Sequence, residues 1–249
     1  MATVRLVDLS VDIPIYDVAS TSIKMLLHGT TGGRFASQHA HVIVNALRKI
    51  TFEAHDGDRI GLIGNNGSGK TTLLRVLARV YPPTGGTIEV CGRVSPMLNM
   101  TLGMSADATG FENIRICGAL WGLTRKQIEA SIDDIVDFTE LGEYLNMPVR
   151  TYSAGMLLRL SFAIATLREP DILLIDEIIG VGDAGFLHKA SARLARLVRQ
   201  SRILFMASHV KSSIMQLCDK AIWLHNGSLV AYGPAEEVMA RYEQGDVPR

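Results

Sequence analysis

The 249-residue sequence is poor in cysteine, with only Cys91, Cys117 and Cys218. Their number is odd, their spacing wide, and no CxxC pair occurs. That argues against a disulfide framework and a zinc site, and for a reducing compartment. Neither sign of charge is in excess, since 25 Lys and Arg balance 25 Asp and Glu. A nucleic-acid binder normally carries a basic surplus that displaces counterions from phosphates, so no nucleic-acid partner is expected. Long apolar runs are missing as well. None approaches the roughly 20 residues that span a bilayer, so the chain alone is not expected to cross a membrane. Residues 1–18, MATVRLVDLSVDIPIYDV, carry charges throughout and lack the apolar centre of a signal peptide. Repeats and low-complexity tracts are absent. What is present is a chain 47% apolar and 20% charged, able to bury a core and long enough for one large α/β domain or two small ones. These exclusions leave a soluble, cytoplasmic, globular protein as the expectation.

Val4 and Leu6 alternate with polar neighbours as in an edge strand. Residues 20–27, STSIKMLL, read as a short helix capped by Ser20 or Thr21, with Ile23, Leu26 and Leu27 on one face. The GTTGG stretch at 29–33 ends it and opens a loop to about residue 41. Strands are predicted over 46–52 and 58–63, a helix over 70–80, and a strand pair over 87–97. From 109 to 144 the period is helical, with Ile114, Cys117, Leu120 and Trp121 on one stripe and Ile128, Ile132, Ile135 and Val136 on another. A helix over 153–167, with Leu157, Leu160, Ile164 and Leu167 as its buried stripe, is stopped by Pro170. Then come a strand over 172–175, a helix over 184–199, a strand over 202–207 and a helix over 210–217. Two short strands (221–225 and 228–231) lead to a last helix over 235–242. Strands alternating with helices imply a parallel sheet covered on both faces, with the central helices as an inserted lobe.

Residues 64–71, Gly64-Asn65-Asn66-Gly67-Ser68-Gly69-Lys70-Thr71, fit GxxxxGK[ST] between an apolar strand and a helix. Glycines let successive backbone N–H groups turn inward around a phosphate where side chains would block the approach. Lys70 adds a point charge for the β- and γ-phosphates, the Thr71 hydroxyl reaches Mg²⁺, and the helix N-terminus adds its dipole, with Thr72 in the same first turn. Downstream, Ile172-Leu173-Leu174-Ile175 ends in Asp176-Glu177. Adjacent acids at a strand end point differently: Asp176 suits Mg²⁺ through water, and Glu177 suits orienting or deprotonating an attacking water. Thr151-Tyr152-Ser153-Ala154-Gly155-Met156 opens a helix with Ser153 as its N-cap. His39 and His41 have no third ligand near them and read as part of a solvated loop.

A P-loop, a helical lobe, a Ser-x-Gly helix start, a strand ending Asp-Glu and then a lone His209 after the next strand follow in that order. The order resembles the ATP-binding cassette (ABC) ATPases over nearly the whole chain. The usual signature Leu-Ser-Gly-Gly-Gln is replaced by YSAGM, which keeps Ser153 and Gly155 and is similar to the form found in nucleotide-binding subunits of polysaccharide exporters. The resemblance implies an α/β P-loop NTPase fold with a mixed sheet core, an N-terminal antiparallel β-subdomain and an inserted α-helical subdomain. It implies one nucleotide-binding domain over 1–249. Residues 1–98 and 168–249 would form its core and antiparallel part, about 99–167 the helical lobe, and 20–41 an insertion. ATP and Mg²⁺ are the implied cofactors. Glu177 and the switch histidine His209 would be catalytic, and Thr71, Asp176 and Asn99 would serve the metal. Asn99 stands in by spacing for a family glutamine that is absent between Val94 and Asn113, where Leu102-Gly103 fits the exporter branch. Tyr16 would stack on adenine, and Gly182-Asp183 would form a loop that meets the partner subunit.

By the same resemblance the partners are a second copy in a head-to-tail nucleotide sandwich, an integral-membrane permease present twice, and a lipid-linked polysaccharide such as O-antigen. The location would be the cytoplasmic face of the inner membrane. The 20–41 insertion would meet the lipid-linked substrate, and the C-terminal glycan-binding β-sandwich of some members is expected to be absent. Another cargo (teichoic acid or capsule), an importer, and a non-transport cassette stay open as alternatives.

Overall fold

The computed structural model describes residues 1–15, 42–98, 100–176 and 184–245. In order these form β1 (Thr3–Ile15), β2 (Val42–His55), β3 (Arg59–Ile63), α1 (Lys70–Leu77), β4 (Gly85–Cys91) and β5 (Val94–Met97). Next come α2 (Gly110–Leu120), α3 (Arg125–Thr139), α4 (Ala154–Ala165), β6 (Ile172–Asp176) and α5 (Ala184–Gln200). The chain continues with β7 (Ile203–Ala207), α6 (Lys211–Leu217), β8 (Lys220–His225), β9 (Ser228–Pro234) and α7 (Ala235–Gln244). The helix read over 20–27, the loop after it and His39 and His41 lie outside the described residues.

β1 buries Val4, Leu6, Leu9 and Val11. Two residues separate Leu6 from Leu9, and the pairing register with β2 shifts there, at a bulge where Asp8 has φ 49°. β1 is a central strand, flanked antiparallel by β2 and β4, and not the edge strand expected. A half-buried antiparallel strand alternates in the same way at a centre as at an edge, so the pattern could not tell them apart. The expected strand pair over 87–97 is also two unrelated strands. β4 joins this first sheet, while β5 pairs parallel with β6 in a second sheet.

The second sheet runs β5-β6-β7-β3-β8-β9, parallel except for β9, which returns antiparallel to β8. It is a mixed sheet. Its central strands are buried on both faces, and alternate residues feed two cores. Ile60, Leu62, Ile172, Leu174, Ile203 and Phe205 pack with α1 and the antiparallel sheet. Leu173, Ile175, Leu204, Met206 and Trp223 pack with α5, α6 and α7. On that second face Gly61 leaves room for Ile214 and Cys218: a Cβ there would come within 2.6 Å of the Ile214 side chain.

α2, α3 and α4 gather round a third core of Ile114, Cys117, Ile128, Ile135, Leu145, Leu160 and Ile164. α2 and α3 start with reciprocal capping boxes, Thr109 with Glu112 and Thr124 with Gln127. Leu120 leaves the predicted stripe and is 66% exposed. α3 crosses α2 at Gly118, where Ile128 fills the space a side chain would take. α4 differs too: Leu160 to Ala165 are all buried, so the helix is apolar nearly all round and not along one stripe. This lobe docks on α5 through aromatic rings. Phe138 stacks on Phe162 at 5.7 Å, Phe186 meets both edge-on, and the Arg193 guanidinium lies 4.6 Å over Phe138 while bonding Asp134 at 2.6 Å.

Candidate functional site

β3, β7 and β6 lie side by side and parallel, so the segments leaving their C-terminal ends emerge together. This is where open α/β sheets bind ligands. Gly64 follows β3, Asp176 ends β6 in register with Ala207, and Ser208-His209 follow β7. The Val210 N–H donates to the Ser208 hydroxyl at 3.0 Å, a local turn that leaves His209 exposed. A cleft of about 710 Å³ opens there, lined by Asn66 to Thr72, Asp176, Ala207, Ser208 and His209.

The loop before α1 is built for an anion. Gly69 takes φ 109°, and a Cβ there would come within 2.9 Å of the Ala46 carbonyl and of Leu47, so only glycine brings the loop this close to β2. Among the described residues no side chain caps α1, so its first N–H groups and its dipole stay available to a ligand. The Ser68 hydroxyl is buried and, among the described residues, has no hydrogen-bond partner. An orphaned polar group of this kind calls for a ligand. Lys70 is 8% exposed and donates to the Gly64 carbonyl at 2.7 Å and to the Asn65 carbonyl at 3.1 Å. A phosphate fits these donors. For a metal, the Thr71 hydroxyl and Asp176 carboxylate are hard oxygen ligands on the same cleft, the set Mg²⁺ takes when phosphate oxygens and water fill its remaining positions.

Of the residues expected from sequence, Asn66, Gly67, Ser68, Gly69, Lys70, Thr71, Thr72, Asp176 and His209 line this cleft. Gly64 and Asn65 stand behind it, holding Lys70. Ser153 and Gly155 are not part of it. Ser153 caps α4 by accepting from the Met156 N–H at 3.3 Å, and it is exposed. Tyr16, Asn99, Glu177, Gly182 and Asp183 lie outside the described residues. Sequence reasoning missed two other walls: Ile13, Val44, Asn45, Ala46 and Arg48 of the β1–β2 hairpin, and Asn226-Gly227. The Asn-Gly pair between two short strands was a turn signal, but its place beside the P-loop is set only by strand order.

The profile of the ABC transporter family matches residues 47–180, more than half of the chain. The O-antigen export system ATP-binding protein RfbB of Myxococcus xanthus is 39% identical over 92% of this chain, and RfbE of Yersinia enterocolitica is 43% identical over 86%. The teichoic acids export ATP-binding protein TagH of Enterococcus faecalis is 39% identical over 79%. The chain spans about half of that RfbB (51%), 44% of that TagH, but 90% of that RfbE. Among solved structures, an ATP-binding subunit of an ABC transporter superposes with a TM-score of 0.69 at 22% identity, covering 99% of this chain and 95% of its own. A dimeric ATP-binding cassette holding ADP and phosphate gives 0.68 at 15%, covering 93% and 98%. At those identities the likeness speaks for the fold. The sequence relationship goes further: the chain belongs to the ABC transporter ATPases, in the branch that holds the O-antigen and teichoic acid export proteins.

Proposed function

We propose that this chain is the ATP-hydrolysing subunit of an exporter that moves a lipid-linked polysaccharide, such as O-antigen, across the cytoplasmic membrane. The observation that carries the reading is, among the described residues, a buried Ser68 hydroxyl with no hydrogen-bond partner and a start of α1 with no side-chain cap, beside Lys70, in a chain whose relatives are named for polysaccharide export. The phosphates of ATP lie against the N–H groups of 66–72, and Lys70 leaves the Gly64 and Asn65 carbonyls for phosphate oxygens. Thr71 and Asp176 hold Mg²⁺, with Asn99 in the place of the family glutamine. When bound, the ion neutralises charge that develops on the transferred phosphoryl group. Glu177 orients the attacking water, His209 contacts the γ-phosphate, and Tyr16 stacks on adenine.

Ser153 and Gly155 serve the γ-phosphate of a second copy. Ser153 opens a helix whose N-terminal end favours an anion. Among the described residues a Cβ on Gly155 would meet only the Ser153 hydroxyl, at 3.9 Å, so none of them requires glycine there, whereas a closely approaching partner would. Residues 1–98 and 168–249 act as the nucleotide-binding core and 99–167 as the lobe that carries Ser153. No helix among the described residues is long and apolar enough to cross a membrane, so a separate permease, present twice, supplies the path, and this chain works at its cytoplasmic face. The test replaces Glu177. Purified Glu177→Gln should bind ATP, hydrolyse it at least ~100-fold more slowly, and accumulate as an ATP-bound dimer. In cells it should remove the surface glycan and leave lipid-linked polymer inside. Parental hydrolysis would refute the role of Glu177, and normal surface glycan would refute the cargo.

A further inference from the structure

The phosphate-binding loop is held from behind by residues outside its motif. β8 and β9 are joined by a two-residue turn in which Asn226 (φ 48°) and Gly227 (φ 79°) both take left-handed backbone, as a type I′ hairpin requires. This turn bridges the loop to β2. The Gly227 N–H donates to the Ser68 carbonyl at 3.0 Å, and the Gly227 carbonyl accepts from the Arg48 N–H at 2.7 Å. A Cβ at Gly227 would stand 2.8 Å from the Ala46 carbonyl, so glycine permits the close fit. Beyond the hairpin, α7 brings the chain back to the same loop. The Tyr242 hydroxyl donates to Asn65 Oδ1 at 3.0 Å, and its ring packs edge-on against Trp223 at 5.5 Å. Trp223 is buried, which gives the ring a fixed support. The Asn65 carbonyl, in turn, accepts from Lys70 Nζ and from the Ser68 N–H, both at 3.1 Å.

We propose that the β8–β9–α7 unit is a positioning clamp on the phosphate-binding loop, with Tyr242 as the positioning residue that fixes Asn65. The inference rests on the reading of this cleft as the ATP site. A loop held in its binding shape spends no ordering entropy when phosphate arrives, so the clamp acts on affinity. Asp176 and His209 stand at the ends of β6 and β7, outside these contacts, so the clamp acts on turnover at saturation less than on affinity.

The test uses the full chain. Tyr242→Phe keeps the ring and its Trp223 contact and removes only the donor, while Asn65→Ala removes the acceptor and leaves α7 untouched. Each should raise the KM for ATP ~2- to 10-fold, the range expected for one neutral hydrogen bond. In Tyr242→Phe kcat should stay within about twofold. The double variant should be no worse than either single, because both remove the same bond. An unchanged KM in Asn65→Ala, penalties that multiply in the double variant, or a fall in kcat at constant KM would each overturn the clamp. If Tyr242→Phe also destabilises the fold, Asn65→Ala decides alone. Lys70→Ala separates the two levels of the argument, since unchanged ATP affinity there would refute the ATP site itself.

Discussion

Asp171 shows how much one side chain can organise. Its Oδ2 accepts from the Arg93 N–H at 2.9 Å and from Arg93 Nε at 3.0 Å, and Arg202 Nε lies 3.4 Å from Oδ1. Its own N–H and carbonyl bond Arg93 and Arg202, so it ties the starts of β5, β6 and β7 together. The Arg93 guanidinium, helped by the Arg93 N–H, holds the Asp171 carboxyl below the usual carboxylate range. A group whose pKa falls on folding lends stability above its unfolded value and loses it as pH drops through the folded one. Asp171→Asn should therefore lower stability at neutral pH by roughly 1 kcal/mol, a charged hydrogen bond discounted for partial exposure. Thermal unfolding in progressively more acid buffer should show the gap between variant and parent closing. A gap that stays constant with pH would refute the assignment. In the cleft, the residues legible from sequence were those whose job is local. Gly69, Lys70 and Thr71 are neighbours in the chain, and a phosphate cradle needs neighbours. Arg48 and Asn226 reach the same cleft from opposite ends of the sequence, and no local pattern announces that.

At the scale of elements, the sequence was informative wherever a cap or a continuous apolar run decided the outcome. Ser153 caps α4 as expected because an N-cap depends on three following residues and nothing else. β6 and β7 were legible as buried strands because both of their faces are apolar. The ends of α1 and α4 were placed too far along. α1 stops at Leu77, where Ala78 caps it and Arg79 turns to φ 59°, a local conformation that helical periodicity through Val80 does not reveal. α4 stops at Ala165, and Leu167 is already in the turn that follows. Sheet membership was the least legible property. β4 and β5 are separated by only Gly92 and Arg93, yet Gly92 at φ 116° sends them into different sheets. Which strand lies beside which depends on contacts tens of residues away, and alternation records only which side of a strand is buried.

For the molecule as a whole, the separation of Ser153 from the P-loop cleft is the feature with the largest functional reach. Ser153→Arg and Lys70→Ala chains should each hydrolyse little ATP alone, because every site in either homodimer lacks one half. When they are mixed, a heterodimer pairs an intact P-loop with an intact Ser153, and phosphate release should recover to at most about half the parental level, since one of two sites is whole. No recovery at any mixing ratio would argue against sites completed by a second chain.

The three thiols have a consequence of another kind. Cys91 is open to solvent, Cys117 sits in the core of the helical lobe, and Cys218 lies under α6 with burial pushing its thiol up to about 12. A thiol reagent needs both access and thiolate. Cys91 therefore has the access that both buried thiols lack, and each of those two stays silent until its own core opens. Nature has in effect placed a separate stopwatch in each lobe, and alkylation followed by mass would tell which half of the molecule breathes first, with no probe introduced.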